Sequence, residues 1–445
     1  MPHRRRTAAA LATTLATAAA AAAAALLGGC GGAQAPASHG YRPAVSGPAT
    51  IRVPEDAPGI QEAVDSARPG DLVLVGPGTY RESVRISTPR IVLRGTDRNR
   101  VIVDGEYRRY NGVTVSAAGV AVENLTVRAH RLNGVLFTGI TDERLQDRIG
   151  GGADGYDRLD PAAFPALRGF RVSYVTSYDN ALYGIYAFDA RDGLIEHTYT
   201  SGQADSGLYV GQCRPCNTLV VHNVAESNAV GYEQTNASGS LVVAGNRFTR
   251  NRVGLTSNSD DLEALAPQRG SVIAANDVSD NDNPATPEQA DGGFGIGIGI
   301  GGGTENTVTR NRIHGNRLAG VLVSDSEEYP PAGNEIRGND VTGNGTDLAL
   351  RIAGSTAGAT GNCFAGNAHT TSTPARIESA LACGRSAAAP PSVTALVSVA
   401  APPGISFRTV PPPAAQPSMP GSPIATARPA VGLPPRVDVS TMDPP

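Results

Sequence analysis

Between residues 178 and 236 the chain concentrates Tyr, His, Asp and Glu where later stretches carry Asn, Gly and Arg. Gly184, Gly207 and Gly231 lie 23 and 24 residues apart, and counting from them puts Tyr186, Tyr209 and Glu233 in one row, two positions past each glycine. Asp189 and Gln212 share a second row, five positions past. His197 and His222 are 25 apart, nearly the same period, and are expected to be neighbours. Asp192, Asp205, Arg214 and Glu226 complete the set. These types suit proton transfer, with His197 or His222 as base, Tyr186 or Tyr209 as acid, and Arg191 or Arg214 neutralising a substrate carboxylate. Hydrolysis would instead draw two carboxylates from Asp189, Asp192, Asp205, Glu226 and Glu233, about 5 Å apart for retention or about 6.5–9.5 Å for inversion. The predicted catalytic residues are Asp189, Asp192, His197, Tyr209, His222 and Glu233, with Tyr186, Asp205, Gln212 and Arg214 binding substrate. A purely structural alternative has the Tyr rows covering a surface and the His side chains satisfying turns.

Missing residue types narrow the chemistry. All 37 basic residues are Arg, so Schiff-base chemistry and a P-loop lysine are excluded. Trp is absent, so a sugar-stacking surface must use Tyr, Phe or Arg. A net charge of −4 gives no electrostatic case for nucleic acid.

The elements that position these residues are repeats. Asparagines five apart recur as Asn223/Asn228, Asn246/Asn251, Asn276/Asn281, Asn311/Asn316, Asn339/Asn344 and Asn362/Asn367. Two residues after the first Asn stand Ala225, Phe248, Val278, Ile313, Val341 and Phe364. Short β-prone segments such as Leu219-Val220-Val221 and Leu241-Val242-Val243 lie between. A period near 23 with about three short strands is too short for a propeller blade and suits one coil of a parallel β-helix. Stacked coils would align the Asn side chains into amide ladders that satisfy turn backbone groups. Insertions are expected near 141–168, 257–270, 282–293 and 324–334.

A solenoid needs covered ends. Ile60, Ala63, Val64 and Ala67 form an apolar helical stripe, closed by Pro69-Gly70, that would cap the first coil. At the other end Ile377 to Leu381 would form a lid. The predicted domain spans 50–385, all-β. The tail, 386–445, holds 15 of the 33 prolines and reads as disordered or extended.

At the N-terminus Arg4-Arg5-Arg6 precedes an Ala/Leu/Thr run from Thr7 to Leu27, the pattern of an export signal over 1–30. Leu27-Gly28-Gly29-Cys30 resembles the bacterial lipobox, which implies acylation of Cys30, a lipid anchor in the cell membrane and a flexible tether over 31–49. Cys213, Cys216, Cys363 and Cys383 remain, an even number for an exported chain. Pairing by proximity gives Cys213–Cys216 and Cys363–Cys383; metal or redox use of the Cys213-Arg214-Pro215-Cys216 spacing is the alternative. The insertion from 141 to 168 carries Asp142, Glu143, Asp147, Asp154, Asp157 and Asp160, which would either hold Ca²⁺ or form a solvated acidic loop.

The opening Val53-Pro54, Ile60-Gln61-Glu62-Ala63-Val64, Pro69-Gly70-Asp71 and Gly76-Pro77-Gly78-Thr79-Tyr80-Arg81-Glu82, followed by the Asn-marked coils, resembles the pectin-lyase-like superfamily of right-handed parallel β-helices, especially exported bacterial proteins with PbH1-type repeats. The resemblance covers about 330 residues and implies a polysaccharide or cell-wall glycan as partner, with a lyase or epimerase acting on acidic glycans as the leading activity. Gly78-Thr79-Tyr80-Arg81-Glu82 matches one pectinesterase signature without the segments that carry its aspartates. Alginate epimerases of this fold carry Asp-Pro-His-Asp after a Tyr-Gly strand; Asp189-Ala190-Arg191-Asp192 keeps both aspartates and loses Pro and His. A non-catalytic surface scaffold and a NosD-like metal-related role through His197 and His222 are the other readings. A monomer is expected.

Overall fold

A computed structural model describes residues 47–147, 159–288, 292–354, 357–384, 396, 399–426 and 431–445. Cys30, the export signal and most of the tether lie outside the described residues.

Every coil runs through three short strands, one in each of three sheets, here A, B and C. One full coil passes from Leu167–Ser173 in sheet A to Thr176–Tyr178 in B and Ile185–Phe188 in C, then returns to A at Ala190–Glu196. Among the described residues sheet A holds 12 strands, C 11 and B 10, and each named pairing is parallel between successive coils. Parallel strands of one sheet joined only through the other two sheets make a parallel β-helix, right-handed as such crossovers are.

The interior is a set of aliphatic stacks. In sheet A, Ile195, Val220, Val243, Ile273, Val308, Ile336 and Phe364 pair in register, all fully buried. In sheet B, Ala225, Phe248, Val278, Ile313 and Val341 do the same. Burying a Val, Ile or Phe contributes about 1.5–3 kcal/mol, so each inward row is a continuous source of stability.

The Asn residues form ladders, as their spacing predicts. Asn223, Asn246, Asn276, Asn311, Asn339 and Asn367 line the A-to-B turn. Each Oδ1 accepts both the backbone N–H and an Nδ2 hydrogen of the coil before, for example 3.0 Å and 3.0 Å from Asn246 to Asn276. Asn228, Asn251, Asn281, Asn316 and Asn344 line the B-to-C turn in the same way. A third column at the C-to-A turn, Gln268, Asn306, Asn334 and Asn362, has no fixed spacing in the sequence. Asn362 and Asn367 are therefore not a pair like the other five: Asn362 is in the third column and Asn367 in the first. Carboxylates end two ladders, Glu378 accepting from Asn367 at 2.8 Å and Asp347 from Asn344 at 3.1 Å.

Both ends are covered. The helix Ile60–Ser66 buries Ile60, Ala63 and Val64, and Glu82 caps its first N–H groups at 3.1 and 2.8 Å. Arg81 pairs with Glu106, and Tyr80 donates to the Gly76 carbonyl, so the Gly78–Glu82 segment is used structurally. At the far end Cys363 and Cys383 are joined, and Ile377 is buried beneath the last strand. Cys213 and Cys216 form the second disulfide.

The tail takes the extended alternative where it is described, and it is docked. Arg98 donates to the Pro417 carbonyl at 3.0 Å, Asn99 and Gln416 bond reciprocally at 2.9 and 2.8 Å, and Arg94 reaches the Thr426 carbonyl at 3.1 Å. Arg312 donates to the carbonyls of Pro444 and Pro445. A proline-rich strand has few N–H donors and a full set of carbonyl acceptors, while each guanidinium carries five donors. The arginines of the solenoid flank and the Pro-rich tail are thus hydrogen-bond complements. Val410 and Met419 are the tail's buried apolar anchors.

Candidate functional site

Sheet C carries the predicted rows on its outer face. Tyr186, Tyr209 and Glu233 pair directly across successive coils, so the glycine count located them correctly. Their neighbours along each strand, such as Ile185, Leu208 and Tyr232, point into the solenoid. Tyr183 joins them, with ring centroids 4.5 Å from Tyr186 and 4.7 Å from Tyr209, while Tyr186 and Tyr209 meet edge-on at 5.0 Å. Phe188 lies 5.4 Å from Tyr186, and Leu136 and Ile140 complete an apolar box against Leu159 and Phe164 of the first insertion.

The second insertion brings a residue that the sequence reading missed. Glu263 is buried against this face, and Tyr209 Oη donates to its Oε1 at 2.5 Å. Its other oxygen has no hydrogen-bond partner, and burial pushes the carboxyl up to about 8 against the lowering effect of Tyr209. Gly211 makes room for this pair: a Cβ there would fall 2.5 Å from the Tyr209 ring and 2.9 Å from Glu263 Oε2. Gln212 accepts from Ala264 N at 2.9 Å, and Asn236 donates to the carbonyls of Asp260 and Glu263, which holds the insertion in place. Arg214, exposed within the Cys213–Cys216 loop, donates to the carbonyls of Leu265 and Pro267. These two bonds tie the loop to that insertion.

Asp189 begins the C-to-A turn with φ of 53°. It is 1% exposed, its Oδ2 has no hydrogen-bond partner, and burial pushes its carboxyl up to about 7. A Cβ at Gly139 would fall 2.7 Å from that oxygen. One coil on, Ser206 Oγ donates to Glu233 Oε2 at 2.5 Å and lies beside Asp205. Sheet C therefore gathers Tyr186, Tyr209, Glu233, Asp205, Asp189 and Gln212, and adds Glu263, Tyr183 and Ser206.

The remaining predicted residues sit elsewhere. His197 and His222 are neighbours, as expected, with centroids 5.4 Å apart and Tyr174 stacked 4.7 Å from His197. All three take positive φ at the A-to-B turn and face outward, so no histidine of this pair joins the sheet C carboxyls. Asp192 lies in the sheet A strand Ala190–Glu196, where it accepts from Asn217 at 2.9 Å and pairs with Arg168 and Arg191. Strands that turn from one face of the prism to another carry residues close in sequence onto different flanks, which separates Asp192 from Asp189. Glu226 is on the outside of sheet B, accepting from Tyr199 at 2.5 Å and from Arg250, in a cleft of about 420 Å³ that tail residue Gln416 also lines.

In the first insertion Asp142 caps the turn of helix Glu143–Gln146, Asp147 pairs with Arg85, and Asp160 accepts from Ala162 N. Asp154 and Asp157 lie outside the described residues. Among the described residues the trio with convergent ligand atoms is Asp261, Glu327 and Glu328, all exposed, and it includes neither His197 nor His222.

Fold and site together define a parallel β-helix whose sheet C holds buried carboxyls beside a cluster of tyrosines under two loop insertions. A family described as "Right handed beta helix region" matches residues 167–326 and 264–371. The A-module of the mannuronan C-5 epimerase AlgE6 from Azotobacter vinelandii is similar in structure, with a TM-score of 0.50, 16% identity, and 71% of this chain and 83% of that one covered. A mannuronic acid specific family 6 polysaccharide lyase from human gut microbiota has a TM-score of 0.42 at 14% identity, over 72% and 82% of the two chains. No curated protein matches the chain by sequence. At these identities the likeness is one of fold.

Proposed function

We propose that the protein is an extracytoplasmic β-helix, anchored through Cys30, that binds acidic polysaccharide on sheet C and modifies it by proton transfer at the sugar ring, as a lyase or epimerase. One observation carries this reading: Glu263, bonded to Tyr209, and Asp189, which directly follows the neighbouring sheet C strand, are buried carboxyls pushed up to about 8 and about 7, beside the edge-on pair Tyr186 and Tyr209. A group that removes and returns a proton works best when its pKa lies near the working pH. Tyr209, donating to Glu263, is the group through which a proton would pass to or from the sugar, and Asp189 is the second proton-transfer group. Glu233, set by Ser206, and Gln212 would orient the chain. Both disulfides support an oxidising compartment, and the AlgE6 module of like fold is a mannuronan epimerase.

These groups are at most 8% exposed, so this reading requires the insertions over sheet C to move before a sugar reaches them. That closure favours the second reading, a scaffold that binds glycan without turnover. Incubating the purified protein with polymannuronate, polygalacturonate and cell-wall glycans distinguishes them. Unsaturated or C5-inverted product, lost about 100-fold or more in Glu263→Gln, supports the enzyme. Binding without product supports the scaffold, and neither binding nor product removes both. Cell fractionation tests the anchor, because Cys30→Ser should move the protein from membrane to soluble fractions.

A further inference from the structure

Arg252 has the largest fully buried side chain among the described residues. It immediately precedes the sheet C strand Val253–Asn258, at the B-to-C turn. Its guanidinium lies 5.1 Å above the Phe294 ring, and Arg317 approaches the same ring at 5.9 Å. Neither Nε nor Nη1 has a hydrogen-bond partner. Nη2 donates to the Pro402 carbonyl of the tail. Glu288 exerts an electrostatic pull on it, but no carboxylate among the described residues forms an ion pair with it. Arg317, by contrast, has Asp282 at 3.1 Å. The tail is fixed over this point by Ile405 N donating to the Thr286 carbonyl at 2.9 Å.

A guanidinium matches the two oxygens of a carboxylate through its Nε–Nη2 or its Nη1–Nη2 edge, and both edges share Nη2, the nitrogen that donates to Pro402. One neutral carbonyl fills a single donor and supplies no charge. We propose that Arg252, Phe294 and Arg317 form a carboxylate-binding site for a uronate residue, which the tail segment around Pro402 occupies until an acidic glycan displaces it. This rests on the acidic-glycan reading above and extends it to a subsite at the B-to-C edge of sheet C, coupled to tail release. The tail then acts as a built-in competitor: glycan carboxylate and Pro402 carbonyl exclude one another.

Gly404 offers a way to shift that competition. A Cβ there would fall 2.4 Å from Glu288 N, so Gly404→Ala should lift the segment from Arg252 without touching the guanidinium. The full chain is titrated with a galacturonate tetramer and with its methyl ester, and trypsin cleavage after Arg408 reports tail release; Arg408 is otherwise stacked 4.4 Å over Tyr107. The tetramer should bind and speed cleavage while the ester does neither. Gly404→Ala should bind the tetramer about tenfold more tightly, and Arg252→Gln about tenfold or more weakly. Equal affinity in wild type and both variants, equal response to the ester, or no binding in any of them overturns the site. Turnover of polyuronate with none of these dependences sinks the site alone. Carboxylate-dependent tail release without turnover keeps the site and sinks the catalytic reading.

Discussion

At the scale of single residues, the sheet C carboxyls set a pH dependence whose sign follows from their burial. Glu263 titrates at about 8 in the fold against an ordinary 4.5, and Asp189 at about 7 against 3.8. Below their ordinary values both states are protonated and stability is full. As pH rises the unfolded chain ionises first, so each carboxyl costs about 1.4 kcal/mol of stability per pH unit until its folded pKa is passed. Melting temperature should decline from about pH 4 to pH 8, and Glu263→Gln should flatten the upper part of that decline; parallel curves for the two proteins would contradict the assignment. Gly211→Ala tests the same pair sterically. A methyl 2.5 Å from the Tyr209 ring must break its bond to Glu263, so activity on polyuronate and about 1–3 kcal/mol of stability should be lost together. Tyr186, Tyr209, Glu233, Asp189 and Gln212 were legible because the glycine period changes by only one residue through these coils. Glu263 was not, because it lies in an insertion where no period runs.

At the scale of elements, the ladders explain how turns with little side-chain mass hold a stack of coils. Each Asn passes its acceptor to the coil before and takes one from the coil after, so the last member needs an acceptor from outside the series. Glu378 supplies it for the A-to-B column, donated to by both Asn367 N and Nδ2 at 2.8 Å. Glu378→Ala should leave those donors unsatisfied and cost about 1–3 kcal/mol. Amide exchange should quicken in the last coil around Asn362 to Ala382 while earlier coils stay protected, as expected when neighbours alone contact each other. Uniform loss of protection would show that the ladder end is not a local cap. The first five Asn pairs were readable as one motif because two turns lie five residues apart, with a short sheet B strand between them. The sixth matched that spacing across a different strand.

At the scale of the whole molecule, two devices close the structure: the Cys363–Cys383 bridge at the end and the tail along the flanks. Replacing both cysteines with serine frees a 20-residue separation and should lower stability by about 2–4 kcal/mol, read as a lower midpoint in denaturant. Arg98 is buried, bonded within the solenoid to Val175 and Thr176 and across to the tail at Pro417 and Ser418. Arg98→Gln should therefore expose the tail to protease near residues 410–420 with the solenoid still folded. A tail equally resistant in the variant would mean that its docking rests on other contacts.

The sequence alone determined the solenoid, its caps and the rows of sheet C, because a coil repeats its inward and outward positions every 23 or so residues and local spacing is then a spatial coordinate. It also exposed the absence of Lys and Trp, which confines any chemistry to Arg, His, Tyr and carboxyls. Tertiary structure alone decided which flank each side chain joins. His197 and Asp192 are near Asp189 in sequence, yet the chain turns between them and sends them to other faces. Glu263 and the Pro402 carbonyl come from segments without periodicity, so only the folded chain brings them to Tyr209 and Arg252. A repeat specifies position along and within its own coils; contacts made by insertions and tails are specified by packing.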